Sequence, residues 1–412
     1  MKSIRKSICL IILIMTFVVG FCLCCSAVQN KKTPYDNLQK ISTDILCVSF
    51  RGDTASCPEN SLEGVISAHK KGADMVSVNV MKTKDGVFIL CENESLDNIC
   101  DSEFESVSQV DYEELCQSRL YDNSGKITKY TFSTVNELIA KTDDSLFLIL
   151  DFDWQYKDEI YNIITESGAL NRVFLRTKQG ASEICEWVNS KSEKPFVIGV
   201  YDGGIIFNAI SHINKLSAIG MPLVQYSSKN YFNVMYESLV NRNYSASGKA
   251  SAIASCYDPD LSGQRTDSLS GWDALINRGF TVIETSDIAS FSEYLSQRKA
   301  ATQRLESLKA RADKIDKSKY ASVSLENLNL ALENADAVLE SGKESLDKIQ
   351  DAFTKLTLSM NKLMIKTGDD TQKGALNITS GKVIAALLVT AGIFSWEMFI
   401  HRMHGKEKSK KK

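Results

Sequence analysis

Residues 49–60 read SFRGDTASCPEN, and residues 71–98 read KGADMVSVNVMKTKDGVFILCENESLDN. The first stretch ends a β-rich run, ILCVSF, and the second contains another, DMVSVNVM. A strand that empties into a loop of arginine, glycine and acidic or amide residues is laid out to hold a ligand. Asp85 and Gly86 make a tight turn in which glycine supplies a backbone angle that other residues resist. Both stretches read as places where a phosphate and a metal could be held, and neither contains a histidine.

Outward from these loops, β-rich runs alternate with amphipathic segments. The runs are ILCVSF, DMVSVNVM, LFLILDF, RVFLRT, PFVIGVY, LSAIGMPL, AIASCY and FTVIET. Near-continuous apolar strands separated by helices predict a parallel sheet covered by helices. Eight such units over about 250 residues predict an α/β fold, a (β/α)8 TIM barrel, across residues 40–292. The polar, acidic segment 92–131 reads as an insertion. A doubly wound sheet is the alternative, but no glycine-rich dinucleotide signature follows the first strand.

The frame around these strands resembles the glycerophosphodiester phosphodiesterase family, which opens with His-Arg-Gly and then Pro-Glu-Asn. Arg51, Gly52, Pro58, Glu59 and Asn60 match it, with Phe50 at the first histidine. Gly72, Ala73, Asp74 and the Thr83–Gly86 turn match next, and the final unit, GWDALINRGFTVIETSD, is similar too. The resemblance implies two metal-binding carboxylates where Ser77 and Asn79 stand. It implies a second histidine at Glu92 and a third metal ligand at Asp151, with Asp153 where a lysine is usual. In that family one histidine acts as base, the other protonates the leaving oxygen, and a divalent cation neutralises the phosphate.

Phe50 has no titratable group, and Ser77 and Asn79 offer neutral oxygens to a hard cation. Outside the termini only His69 and His212 remain, and both sit at the wrong places along the barrel units. The expectation is therefore a pseudo-phosphodiesterase acting as a binding or structural module for a phosphate-ester or cell-envelope ligand, with no cofactor. The alternatives are an active phosphoric diester hydrolase of lipid metabolism with an altered magnesium or calcium site, and a purely structural surface protein. Arg51, Glu59 and Trp272 are the ligand-binding candidates. Arg51 alternatively serves in an ion pair with Glu59 or Asp151.

The chain has 412 residues, is 43% apolar and 24% charged, and carries a net charge of −3. That composition predicts a folded protein and weighs against a nucleic-acid partner, which calls for a strongly basic face. At the N-terminus a basic start and an apolar run over residues 7–25 read as a signal peptide ending near Ala27, or as a membrane anchor. A lipid-modified cysteine at Cys22, Cys24 or Cys25 fits less well. Residues 383–400 form a second apolar run with a basic tail at 401–412, predicting a transmembrane helix about 27 Å long. Both basic flanks fall on one side of a bilayer, which predicts a membrane-anchored protein whose body is extracytoplasmic and whose C-terminal tail is cytoplasmic.

Apolar residues at spacings of three and four predict a small helical bundle over residues 293–367 (Leu305, Leu308, Ala312, then Leu325, Leu328 and Leu332). Residues 368–382 read as a linker. The 299–365 segment is also similar, more loosely, to helical modules of Gram-positive surface proteins. Seven cysteines beyond the leader match no zinc spacing, and a Cys100–Cys116 disulfide would bridge the insertion. The oligomeric state is not legible in the sequence.

Overall fold

The computed structural model describes residues 44–242, 251–256 and 267–366. Its strands are β1 (Leu46–Phe50), β2 (Met75–Lys82), β3 (Phe88–Leu90), β4 (Arg119–Tyr121), β5 (Ile127–Thr131), β6 (Phe147–Asp151), β7 (Val173–Thr177), β8 (Phe196–Tyr201), β9 (Leu223–Tyr226), β10 (Ser251–Ser255) and β11 (Val282–Thr285). β1 pairs in parallel with both β2 and β11, and the ladder runs unbroken from β11 down to β6 and back to β2. The sheet is thus a closed barrel of eight parallel strands, β1, β2 and β6 to β11.

Seven of the eight expected strands fall where the apolar runs are. The exception is LSAIGMPL: residues up to Ala218 belong to a helix, and the strand is Leu223–Tyr226. Leu216 packs as a helix residue, and Gly220 with a positive φ turns the chain before Pro222. An apolar run interrupted by glycine and proline is ambiguous between the two periods until both neighbours are placed.

The helices are α1 (Leu62–Lys70), α2 (Val135–Lys141), α3 (Lys157–Glu166), α4 (Ala181–Asn189), α5 (Ile206–Ala218), α6 (Leu269–Ile276), α7 (Ile288–Ala312), α8 (Ser322–Ser341) and α9 (Leu346–Asn361). Strand residues alternate between two cores. Leu46, Val48, Met75, Ile149, Phe174 and Val282 fill the barrel interior. Their neighbours Cys47, Val76, Leu148, Leu175 and Ile283 face the helices. This double burial is why the strands read as continuous apolar runs.

Between β3 and α2 the chain leaves the barrel as the expected insertion. It has its own apolar cluster around Ile89, Leu96, Val107, Leu115 and Phe132, and a β4–β5 hairpin. Asn123 at the hairpin tip donates to the Thr54 carbonyl (3.1 Å), so the insertion leans over the loop after β1. Cys100 and Cys116 are free thiols, as are the other five described cysteines. No disulfide staples the insertion; its apolar cluster holds it instead.

α7 is one continuous helix of 25 residues that begins as the last barrel helix and ends inside the bundle. Leu305, Leu308 and Ala312 from α7 pack with Leu328, Leu332, Ile349 and Leu356 from α8 and α9. Arg298 donates to the Glu344 carbonyl (2.7 Å), to the Gly342 carbonyl and to Asp44 (3.3 Å), just before β1. The bundle is therefore fixed to the N-terminal end of the barrel, opposite the strand ends where barrel sites form.

The membrane expectation needs correction. Among the described residues no helix is long and apolar enough to cross a membrane. α7 has sufficient length, about 37 Å, but it carries Glu293, Arg298, Lys299, Arg304, Glu306, Lys309 and Arg311. Each such charge costs about 2.5–3.5 kcal/mol at a bilayer centre. The apolar runs at 7–25 and 383–400 lie outside the described residues. The described architecture is a barrel and a helical bundle without a transmembrane helix. A bilayer as partner, and a body separated from a cytoplasmic tail by a membrane, find no support in it.

Candidate functional site

The C-terminal ends of β1 and β2 set the geometry. Phe50 pairs with Ser77, and the Arg51 N–H donates to the Ser77 carbonyl (2.9 Å). Arg51, Gly52 and Asn60 all have positive φ (59°, 90° and 54°). Such angles in non-glycine residues are strained and persist where the surroundings over-determine them. Gly52 is over-determined sterically as well, since a Cβ there would lie 2.7 Å from the backbone of Gly64 on α1. Asp53 then anchors the turn: its N–H donates to the Gly64 carbonyl, and its carboxylate takes Ser67 and Lys71 (both 2.6 Å). Burial alone raises the Asp53 carboxyl, but hydrogen bonds from Lys71 and Ser67 outweigh it and hold the group below its ordinary range.

This turn aims Arg51 across the mouth. Its Nη1 lies 2.9 Å from Glu59 and 2.5 Å from Glu92, and its Nε is buried without a hydrogen-bond partner. Phe50 lies beneath it, with the guanidinium 4.3 Å from the ring centre. The Phe50 ring thus supports the arginine by cation–π attraction. A cavity of about 270 Å³ opens beside this group, between the barrel and the insertion, lined by Glu59, Asn60, Glu92, Tyr121, Asp122 and Asn123 among others. The expected Arg51–Glu59 pair is present, Glu92 joins it, and Asp151 does not.

Asp151 is engaged elsewhere. It sits beside Arg176 in the β6–β7 ladder, and Arg176 grips it with two hydrogen bonds, Nε to Oδ1 (2.7 Å) and Nη2 to Oδ2 (2.5 Å). The Arg176 Nη1 also donates to both oxygens of Glu284 (2.9 and 3.0 Å) and to Gln225 (3.5 Å). Gln225 in turn donates to Ser255 (2.8 Å), whose hydroxyl donates to Glu284. Arg176 and Glu284 were not among the sequence candidates. The signal was available: a single charge at an inward position of two apolar strands, VFLRT and VIET.

A divalent cation does not fit the positions that the family resemblance assigns to it. The Ser77 hydroxyl is buried and unpartnered, but neutral. Asn79 is tied to Asn60, receiving Nδ2 at 3.5 Å and donating its own N–H to Oδ1 at 2.8 Å. Both oxygens of Asp151 face a guanidinium. Among the described residues no three His, Cys, Asp or Glu side chains gather around one point. A hard cation needs several charged or carbonyl oxygens free to converge, and the one carboxylate among these three positions is already matched.

The remaining candidates lie apart. Trp272 is buried in the helix layer, edge-on to Phe291 (5.0 Å), with its Nε1 donating to Asp267 (3.0 Å). It packs α6 on α7 and does not line the cavity. His69 lies at the end of α1 with Nδ1 3.1 Å from the Ala73 carbonyl. His212 is buried under Gly199, and burial lowers its pKa. Across the mouth from Arg51, the segments after β8 and β9 expose Ile205, Phe207, Val234 and Met235, an apolar rim that the sequence reading missed.

Residues 51–179 match the glycerophosphoryl diester phosphodiesterase family. Among solved structures, a glycerophosphoryl diester phosphodiesterase from Parabacteroides distasonis aligns with a TM-score of 0.51 at 17% identity. That alignment covers 63% of this chain and 91% of the other. A glycerophosphodiester phosphodiesterase from Agrobacterium tumefaciens gives 0.48 at 12% identity, covering 60% and 99%. One from Thermotoga maritima gives 0.47 at 15%, covering 60% and 97%. No curated protein matches the sequence. The anchoring part of the expected membrane-anchored binding module has no support among the described residues. The barrel has the fold of the glycerophosphoryl diester phosphodiesterase family, and residues 51–179 carry that family's sequence pattern.

Proposed function

We propose that this chain is a phosphoric diester hydrolase of the glycerophosphodiester phosphodiesterase type with an altered mouth, strongly attenuated and independent of divalent cations. The observation that carries this reading is the Arg51 turn. A strained backbone, a supporting Phe50 ring and the buried Asp53 anchor all serve to present one guanidinium at the strand ends. A guanidinium there can take a phosphoryl oxygen. Glu92, 2.5 Å from Arg51, is the titratable group at the two proton-transfer positions and takes the acid–base role. With one acid–base group in place of two, and no bound cation in the reaction, turnover falls by about 10²–10⁴ per lost proton-transfer step.

One observation favours a second reading, a catalytically silent barrel. Glu92 already pairs with the Arg51 Nη1 as an internal anion, so a phosphate ester competes with it for the guanidinium. Incubating the full chain with glycerophosphodiesters, in chelator and with added magnesium or calcium, separates the cases. The altered hydrolase gives slow turnover that ignores the cation and disappears in Glu92→Gln. Absence of turnover in every condition supports the silent barrel. Turnover that rises with a divalent cation contradicts both.

A further inference from the structure

Five side-chain oxygens surround the Arg176 guanidinium: both from Asp151, both from Glu284 and the Gln225 Oε1. They come from three strands of the barrel, β6, β9 and β11, around Arg176 on β7. Arg176 is 6% and Glu284 0% exposed, while Asp151, at 24%, faces the mouth. An all-oxygen shell with two carboxylates is the ligand set of a hard divalent cation. Here a side-chain cation occupies it.

The charges explain why. Two carboxylates inside a barrel cannot both stay ionised and unpaired at tolerable cost. In a metal-dependent barrel an ion carries the compensating charge. In this chain Ser77 and Asn79 no longer supply a charged ion site, and Arg176 reaches the remaining carboxylate from the neighbouring strand. The planar fork fits Asp151 edge-on while the other nitrogen meets Glu284, which a compact ammonium could not do.

We infer that Arg176 is a built-in replacement for the divalent cation, and that removing it opens an ion-binding site formed by Asp151, Glu284 and Gln225. The inference rests on the phosphodiesterase-type reading only for the expectation of an ion at Asp151. Its test uses no substrate, so it can fail while the proposed hydrolysis stands, and the reverse.

The test is thermal unfolding of the full chain in chelator and with added magnesium, calcium or manganese. The wild-type midpoint should not move with any of them. Arg176→Ala should melt lower in chelator and recover by about 5 °C when a cation stands at a hundredfold excess over its dissociation constant. If Arg176→Ala is unfolded in chelator, the cation should restore a cooperative melt. Arg176→Ala combined with Glu284→Gln should show no recovery, because one charged ligand is gone. Failure of Arg176→Ala to respond to all three cations, folded or unfolded, overturns the inference. So does a cation-induced shift of the wild type that Asp151→Asn abolishes, since the ion would then bind with the arginine in place.

Discussion

Two buried arginines hold the two ends of this barrel by different means. Arg176 at the mouth is satisfied by carboxylates, and Arg298 at the opposite end is satisfied mainly by the carbonyls of Gly342 and Glu344. Both are under a tenth exposed. A charge balanced by charges cannot be removed without leaving others stranded. A charge balanced by carbonyl dipoles leaves neutral groups, which cost less when bereft. The first arrangement governs what chemistry the mouth can host; the second governs how a neighbouring bundle is mounted.

The largest test of that contrast is Arg176→Ala in chelator. Stranding Asp151 and Glu284 should lower stability by about 3–5 kcal/mol, measured by denaturant unfolding of the full chain. A loss no larger than that of Arg298→Ala would erase the distinction. Arg298→Ala should cost about 2 kcal/mol, and the loss should be local. Hydrogen exchange should show weaker protection in α8 and α9, with the barrel strands unchanged. Loss of protection throughout would mean that the bundle and barrel unfold as one unit.

Acid should separate the two ends in opposite directions. Asp53 behind the mouth titrates below its ordinary range, so its contribution is present above the unfolded value, about pH 3.9, and is lost as pH falls through the depressed folded value. Asp273 at the bundle junction, which accepts from Tyr294 (2.9 Å) and from the Leu346 N–H (3.0 Å), is raised by burial. Its contribution is lost as pH rises through the raised value and is complete below about pH 3.9. Exchange measured from pH 6 to pH 3 should therefore loosen the Arg51–Asp53 turn before the junction. The reverse order would contradict both assignments. The smallest effect is expected at Ser77→Ala: its hydroxyl is buried without a partner, so stability should change by less than about 0.5 kcal/mol or rise slightly. A clear loss would reveal a bond that the hydroxyl makes in solution.

Much of the barrel was legible because its strands are buried on both faces and run apolar without a break. The β9 strand was misplaced for a local reason, as the helix end at Leu216 and the strand start at Leu223 form one apolar stretch around Gly220 and Pro222. At the site, the Arg51–Glu59 pair was visible because eight residues of loop return to the same strand end. Arg176 was passed over because its partner Glu284 lies 108 residues away. Trp272 reads from the sequence as either packing or a ligand-stacking aromatic, and α6 turns it onto Phe291.

The sequence by itself determined the alternating strand–helix architecture and the place of Arg51 in a loop at a strand end, and it fixed which residues stand at positions 50, 77, 79 and 92. These are local facts, fixed by residue type and by spacing along one or two elements. Only the tertiary structure decided which charges meet. Closing the barrel brings β6, β7 and β11 to one interior layer, and burial there requires every charge to find its opposite. That pairing gave both oxygens of Asp151 to an arginine.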